Sequence, residues 1–327
     1  MRWGHETSFV ARPKLTRDRW AMRRIILKLA AVATVLAMSL GAPVVYGQVT
    51  VNSPSPTKHP DHPKGRHTTI TPIPGVCPAA VITRSGNYEL AGPVGPCPPG
   101  TDGIDIKASH VTLHLNGFSI IGAASCRGNF GIGVGFTAPM LSDVRILGPG
   151  LIAEFAFGLA AQNAADSFVK FVTFMCSTGI ANLIGILSPG GEWKIQRNVF
   201  RQGVPDDLLC SILVAADDND LVGNDANSPI CLFSSNNTVV KNTVVGGFSG
   251  IVTMPGDNDN EIHANTTNNN NGQSGILIRA GSTENNITGN KSSNNTPFDM
   301  EDDNPNCDSN KWEGNHFTTT NQPSCIH

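Results

Sequence analysis

Charge and aromatic rings are both scarce in this chain. Charged residues make up 15% of its 327 positions and aromatic ones 6%, and one of its two tyrosines, Tyr88, lies past residue 47. No Cys-x-x-Cys pair occurs, which removes the commonest zinc and thiol-redox signatures. A basic excess is missing too. Residues 48–327 hold 15 basic and 24 acidic side chains, a net charge of −9, with no basic stretch interleaved with aromatics. That balance repels phosphate backbones, so nucleic acid is not an expected partner. It also disfavours capture of polyuronates unless divalent cations bridge the two. The region past residue 100 has no helix-forming segment.

From Met22 the chain runs "MRRIILKLAAVATVLAMSLGAPVVYGQ": two arginines, an apolar run, then small residues up to Gly47. This is the layout of a secretory signal, with an uncut membrane anchor as the other reading. Residues 1–21 read as an extension upstream of a start at Met22. The expected mature chain is secreted or periplasmic, has no membrane span and is a monomer.

Residues 48–75 are rich in proline and lack periodicity, as expected of a disordered linker. They bring His59, His62 and His67 close in sequence to Asp61. Imidazoles favour copper and zinc; the bland alternative is a flexible tail with incidental histidines.

All eight cysteines lie past residue 47, and an even count in an exported chain points to disulfides. Cys77 and Cys97 flank the start of the remaining domain, 76–327, and Cys307 and Cys325 bracket its end. These are the expected cap disulfides. Cys210 and Cys231 either bond or stack as buried thiols, and Cys126 and Cys176 have no assignment.

Repetition governs the rest. Gly followed by an aliphatic residue recurs at Gly103, Gly131, Gly158, Gly179, Gly250 and Gly275, and Leu209 and Ile230 begin comparable runs between them. The steps are 20 to 30 residues. A second pattern places Asn three residues after an apolar residue: Leu113/Asn116, Ile195/Asn198, Leu221/Asn224, Val239/Asn242, Ile262/Asn265, Ile287/Asn290 and Trp312/Asn315. Short Val/Ile runs between Gly, Asn, Asp and Ser are strands and turns. The expected fold is all-β, a single-stranded right-handed parallel β-helix of about eight or nine coils, because one such coil cannot bury its apolar side alone. A leucine-rich repeat is set aside, since Ile, Val and Gly dominate here rather than Leu.

The recurrent polar octets then become corners. Asn198, Asn224, Asn242, Asn265, Asn290 and Asn315 form one expected ladder, with a second column five residues earlier at Asn219, Asn237, Asn260, Asn285 and Asn310. Trp193 takes that place in an earlier coil. Asn is expected to supply the left-handed bend itself and to bond through its amide along the axis. Six residues before the anchoring Asn stand Glu192, Asp218, Asn236, Asp259, Glu284 and Ser309. This acidic stripe is either a Ca²⁺ site or a set of solvated turn carboxylates.

The segments "GIDIKASHVTLHLNGFSIIGA" (103–123), "NNTVVKN" (236–242) and "ENNITGN" (284–290) resemble the right-handed parallel β-helix repeat family of the pectin-lyase-like superfold. The Asn-rich coils are most similar to NosD-type periplasmic β-helix proteins, a resemblance that implies copper handling. The wider superfold implies lyases, epimerases, hydrolases and non-catalytic members alike.

Chemistry is harder to find. The Gly-His-Gly and Arg-x-Lys expected of a hydrolase of this fold are absent past residue 47. The densest carboxylates, Asp217, Asp218 and Asp220, are the candidate acids. Lys194, Arg197, Arg201, Lys241, His263 and Arg279 are the candidate cations or bases for an uronate lyase or epimerase. His110 and His114 stand nearly 13 Å apart if the strand is extended, too far to share a metal. Ca²⁺ and copper are both compatible with the sequence and neither is required. Trp193, Trp312, Phe248 and Phe298 are the aromatics expected to meet sugar. The resulting expectation is an exported protein that binds, and in one version processes, a polysaccharide. Copper handling and a passive structural solenoid are the alternatives.

Overall fold

The structure, a computed structural model, describes residues 49–51, 70–73, 77, 80–123, 130–176, 183–186, 191–202 and 210–327. Each residue-poor coil contributes short strands to three faces, all paired in parallel with the coils before and after. Face one is an 11-stranded sheet that runs from Val49–Val51 to Met300–Asp302. From Ile104 onward nine of its strands succeed one another in register, in keeping with the eight or nine coils read from the sequence. Face two carries Val111–His114, Lys194–Gln196, Asp220–Val222, Thr238–Val240, Glu261–His263, Asn286–Thr288 and Lys311–Glu313. Face three carries Ser119–Ile121, Val199–Gln202, Asp225–Ala226, Thr243–Val245, Thr266–Asn268 and Lys291–Ser293. Two longer strands, Val144–Ala153 and Phe168–Cys176, run through the corner and join faces two and three.

The first and third residues of each three-residue strand on face one, and the middle residue on face two, point into the tube. Ile104, Ile132, Ile212, Ile230, Ile251 and Ile276 stack on face one, and Leu113, Ile146, Val169, Ile195, Leu221, Val239, Ile262 and Ile287 on face two, all fully buried. Each such side chain contributes about 1.5–3 kcal/mol on burial. Phe174 and Phe200 stack inside face three with centroids 5.0 Å apart. The inner position there turns polar toward the C-terminus, where Thr267 and Ser292 share a 2.8 Å hydrogen bond. Face one is buried on its outer side as well, at Val81, Ala160, Val252 and Leu277.

The strands correct three expectations. Ile184 and Ile212 hold the face-one positions that the sequence pattern gave to Gly179 and Leu209, which lie outside the described residues. Within the stretch read as a linker, Val49–Val51 pairs with Ala80–Ile82 and Ile70–Ile73 pairs with Gly86–Leu90. Their alternating Val, Thr and Ile residues suit a strand. The rest of that stretch, with His59, His62 and His67, lies outside the described residues, as do residues 1–47.

The third correction concerns the asparagines. The ladder asparagines do not carry the left-handed backbone; the residue before each of them does, except at Asn310, where Asp308 does. Asp218, Asn236, Asp259 and Glu284 have φ of 65°, 59°, 57° and 61° at the corner between faces one and two. Arg197, Gly223, Lys241, Ala264 and Gly289 have φ of 53° to 66° at the corner between faces two and three. The asparagine that follows is turned inward, so its amide works along the axis. Asn242 Nδ2 donates to Asn265 Oδ1 at 3.1 Å, and Asn265 Nδ2 to Asn290 Oδ1 at 3.0 Å. That same Oδ1 of Asn265 accepts the backbone N–H of Asn242 at 2.9 Å. The chain Asn198–Asn224–Asn242–Asn265–Asn290–Asn315 is continuous, and so is Asn219–Asn237–Asn260–Asn285–Asn310. The amide suits this because its Nδ2 donates twice while its Oδ1 accepts twice; a hydroxyl has one hydrogen to give and a carboxylate only accepts. A shorter third ladder, Asn270 to Asn295 to Asp299, lines the last corner.

Disulfides join Cys77 to Cys97 and Cys307 to Cys325 at the two ends, and Cys210 to Cys231 between coils. Cys210 and Cys231 therefore bond rather than stack as thiols. Cys176 is disulfide-bonded too.

Candidate functional site

Parallel register turns residues about 25 positions apart into neighbours. At the corner between faces one and two, the left-handed position is held coil after coil by His110, Asp143, Asp166, Glu192, Asp218, Asn236, Asp259 and Glu284. The acidic stripe is therefore real and extends two coils further toward the N-terminus than the sequence pattern showed. Two residues on, the outward position of face two is held by Thr112, Arg145, Phe168, Lys194, Asp220 and Thr238. Between these columns lies an open groove of about 360 Å³, lined by Asp143, Arg145, Asp166, Phe168, Lys194 and Asp220 together with Ser167, Glu192 and Asp218. That volume falls within the roughly 300–1,000 Å³ of ordinary ligand sites.

The charges in the groove are organised. Arg145 Nε meets Asp143 Oδ1 at 2.6 Å, and His110 Nδ1 meets Asp143 Oδ2 at 3.3 Å. Burial pushes the Asp143 carboxyl up, but the hydrogen bonds from Arg145 and His110 outweigh it and leave the pKa below the ordinary value. Glu192 moves the other way. A hydrogen bond with Asp166, then the charges of Asp166 and Asp218, hold its pKa above the ordinary carboxylate value, because two acids in contact share a proton more readily than they both ionise. The Arg145 guanidinium lies 5.7 Å from the centre of the Phe168 ring. The groove thus offers an apolar ring face, two cations and a row of hydrogen-bonding carboxylates.

The residues singled out from sequence are dispersed. Asp218 and Asp220 line the groove, whereas the neighbouring Asp217 accepts the Ser235 backbone N–H at 2.8 Å. Lys241 sits on the corner between faces two and three. His263 is on face two, its Nδ1 2.9 Å from Thr288 Oγ1. Arg279 follows face one and pairs with Asp303 at 3.4 Å. Arg201 pairs with Asp225 on face three. The aromatic expectation also changes. Trp193 and Trp312 are buried, with their indole N–H groups bonded to Ala164 O and Asp302 Oδ2, so neither can meet a ligand. Phe168 and Phe171 take that place. They were hidden because their coil has no ladder asparagine by which to align it.

Among the described residues no group of three His, Cys, Asp or Glu side chains could hold a metal ion, and no helix is long and apolar enough to cross a membrane.

Residues 210–324 match the family model of the periplasmic copper-binding protein NosD. The Asn-laddered coils are therefore similar to NosD, and the match stops short of the groove's N-terminal coils. No curated protein matches the chain. Among solved structures, a mutant of the periplasmic alginate epimerase AlgG superposes with a TM-score of 0.50 at 12% identity, over 76% of this chain and 75% of that one. The Dettilon tailspike protein gives 0.45 at 13% identity, over 74% and 52%. The first likeness shows a shared fold.

Proposed function

We propose that this protein is an exported β-solenoid that binds a polysaccharide in the groove between Asp143 and Asp220. The observation that carries this is the lining itself: the Phe168 ring beside Arg145, Lys194 and stacked carboxylates. Sugar rings present apolar C–H faces and many hydroxyls, and such a lining offers a partner to each. Export is supported by the disulfide-bonded cysteines, which persist in oxidising compartments, and by the match to a periplasmic family. The shared fold with an alginate epimerase is compatible with this and is not its basis.

Titration calorimetry of the chain lacking residues 1–47 against a panel of neutral and acidic glycans tests the proposal. Saturable binding that Phe168→Thr abolishes supports it; the substitution is mild, because Thr112 and Thr238 already hold that column. If no glycan binds, the proposal fails.

The NosD match favours copper handling as a second reading. Within 210–324, where every residue is described, no group of three His, Cys, Asp or Glu side chains that could hold a metal supports it. Copper titration with and without residues 48–75 tests whether His59, His62 and His67 supply a site. No binding tighter than roughly micromolar removes the reading.

A further inference from the structure

At the corner between faces two and three, the left-handed position is held by Phe171, then Arg197, Gly223, Lys241, Ala264 and Gly289. Gly, and less readily a flexible polar residue, suits that backbone; a bulky ring there is an outlier that local folding does not favour. Phe171 has φ 60° and yet is 46% exposed, so it gains little from burial in return. Lys170 Nζ lies over its ring, 4.7 Å from the centroid, and the Arg197 guanidinium lies over it at 5.7 Å. Neither cation makes an ion pair among the described residues. The corner sets this backbone in every coil; what is unusual here is an exposed ring at that position, beside two cations without acidic partners among the described residues.

We propose that Phe171, Lys170 and Arg197 form a second saccharide subsite, which sets one sugar ring against the exposed part of Phe171 and pairs an anionic group on that sugar with the two cations that lie over the ring. The proposal rests on the polysaccharide reading and names the chemistry of the chain bound. The two subsites are connected. Lys194 lines the groove, and Gln196 and Arg197 follow it outward along the same coil. From Glu192 to Arg197, corner to corner across the Lys194–Gln196 strand, the path is at most about 16 Å. A saccharide lying along the strands, across the solenoid axis, would thus touch the acidic edge at one end and the cations at the other. Arg197 can hold a carboxylate or sulfate through two parallel N–H bonds, which Lys170 supplements as a point charge. The sequence hides this surface because Arg145, Lys170 and the Lys194/Arg197 pair each lie about one coil apart in the chain and meet only through register.

The test uses cellohexaose, hexagalacturonate, a sulfated hexasaccharide and a single-stranded oligonucleotide of similar length, each titrated into the chain lacking residues 1–47. Wild type is expected to bind one or both anionic sugars about tenfold more tightly than cellohexaose; the tighter of the two identifies the group as carboxylate or sulfate. Phe171→Gly gives the corner the residue its column already uses, so its melting temperature should hold or rise while affinity for the anionic sugar falls about tenfold. Arg197→Ala should lose the preference for the anion and leave cellohexaose within about twofold. The inference is overturned if Phe168→Thr weakens binding while Phe171→Gly and Arg197→Ala do not. It is also overturned if the oligonucleotide binds most tightly, or if anionic and neutral sugars bind alike. Failure of every sugar to bind wild type ends both this inference and the polysaccharide reading.

Discussion

Asn265→Ala is the perturbation that most directly probes what holds the coils in register. Asn265 is fully buried in the middle of its ladder. Its Oδ1 accepts from the Asn242 backbone N–H and Nδ2, at 2.9 and 3.1 Å, and its Nδ2 donates to Val239 O at 2.8 Å and Asn290 Oδ1 at 3.0 Å. Asn242 Nδ2 keeps Leu221 O at 2.8 Å, and Asn290 Oδ1 keeps the Asn265 backbone N–H at 2.9 Å. The Asn242 backbone N–H is left with nothing. A buried orphan of that kind costs about 1–3 kcal/mol, and two or three lost net bonds add about 1 kcal/mol each. The expected loss is therefore about 3–6 kcal/mol. Asn315, at the end of the ladder, is only half-buried, so water replaces its amide and Asn315→Ala should cost about 1 kcal/mol. Urea unfolding of both variants, followed by circular dichroism, measures the difference; a domain of this size shifts its melting point by about 2–4 °C per kcal/mol. Equal losses at the two positions, or a loss under about 1 kcal/mol at Asn265, would refute the view that the amide stack is structural.

Other consequences follow from particular groups. Asp302 is fully buried; its Oδ2 accepts from Asn310 Nδ2 and Trp312 Nε1, both at 3.0 Å, and its Oδ1 accepts two bonds from Asn304. Asp302→Asn forces an NH₂ group against two N–H donors, and urea unfolding should show a loss of about 2–4 kcal/mol despite the identical shape. Replacing Cys210 and Cys231 together by Ser opens a link 21 residues long and should cost about 2–4 kcal/mol, measured by thermal unfolding. Because Asp166 holds the folded pKa of Glu192 above its unfolded value, that contribution to stability is present below the unfolded pKa and is lost as pH rises through the folded one. Melting temperature should therefore decline over that window more in wild type than in Glu192→Gln, and parallel pH profiles would contradict it.

Much of the architecture could be read in advance because a solenoid repeats one physical problem. Where Asn198 to Asn315 recur, the same amide must meet the same amide, so residue type alone reports register. That signal ends before Asn198, where the backbone of Val172 still bonds to Asn198 Oδ1 but no amide stands at its own position. For that reason Asp143 and Asp166 escaped the acidic stripe, and Phe168 and Phe171 escaped the list of exposed aromatics. Asn116 fits the sequence pattern and yet is itself left-handed, with its amide on Glu89 Oε2 at 2.9 Å rather than in the ladder. The third ladder was legible in principle, since Asn270 and Asn295 lie five residues after Asn265 and Asn290. What sequence could not show is convergence: the groove is made of residues from four coils, and only the register brings them together.

Hydrogen–deuterium exchange of the chain lacking residues 1–47, with and without a saturating glycan, tests where a ligand sits. The groove predicts added protection in the segments 143–147, 166–172 and 192–197, with 251–279 unchanged. Protection confined to face one or to the C-terminal coils, or none at all under saturating ligand, would contradict it.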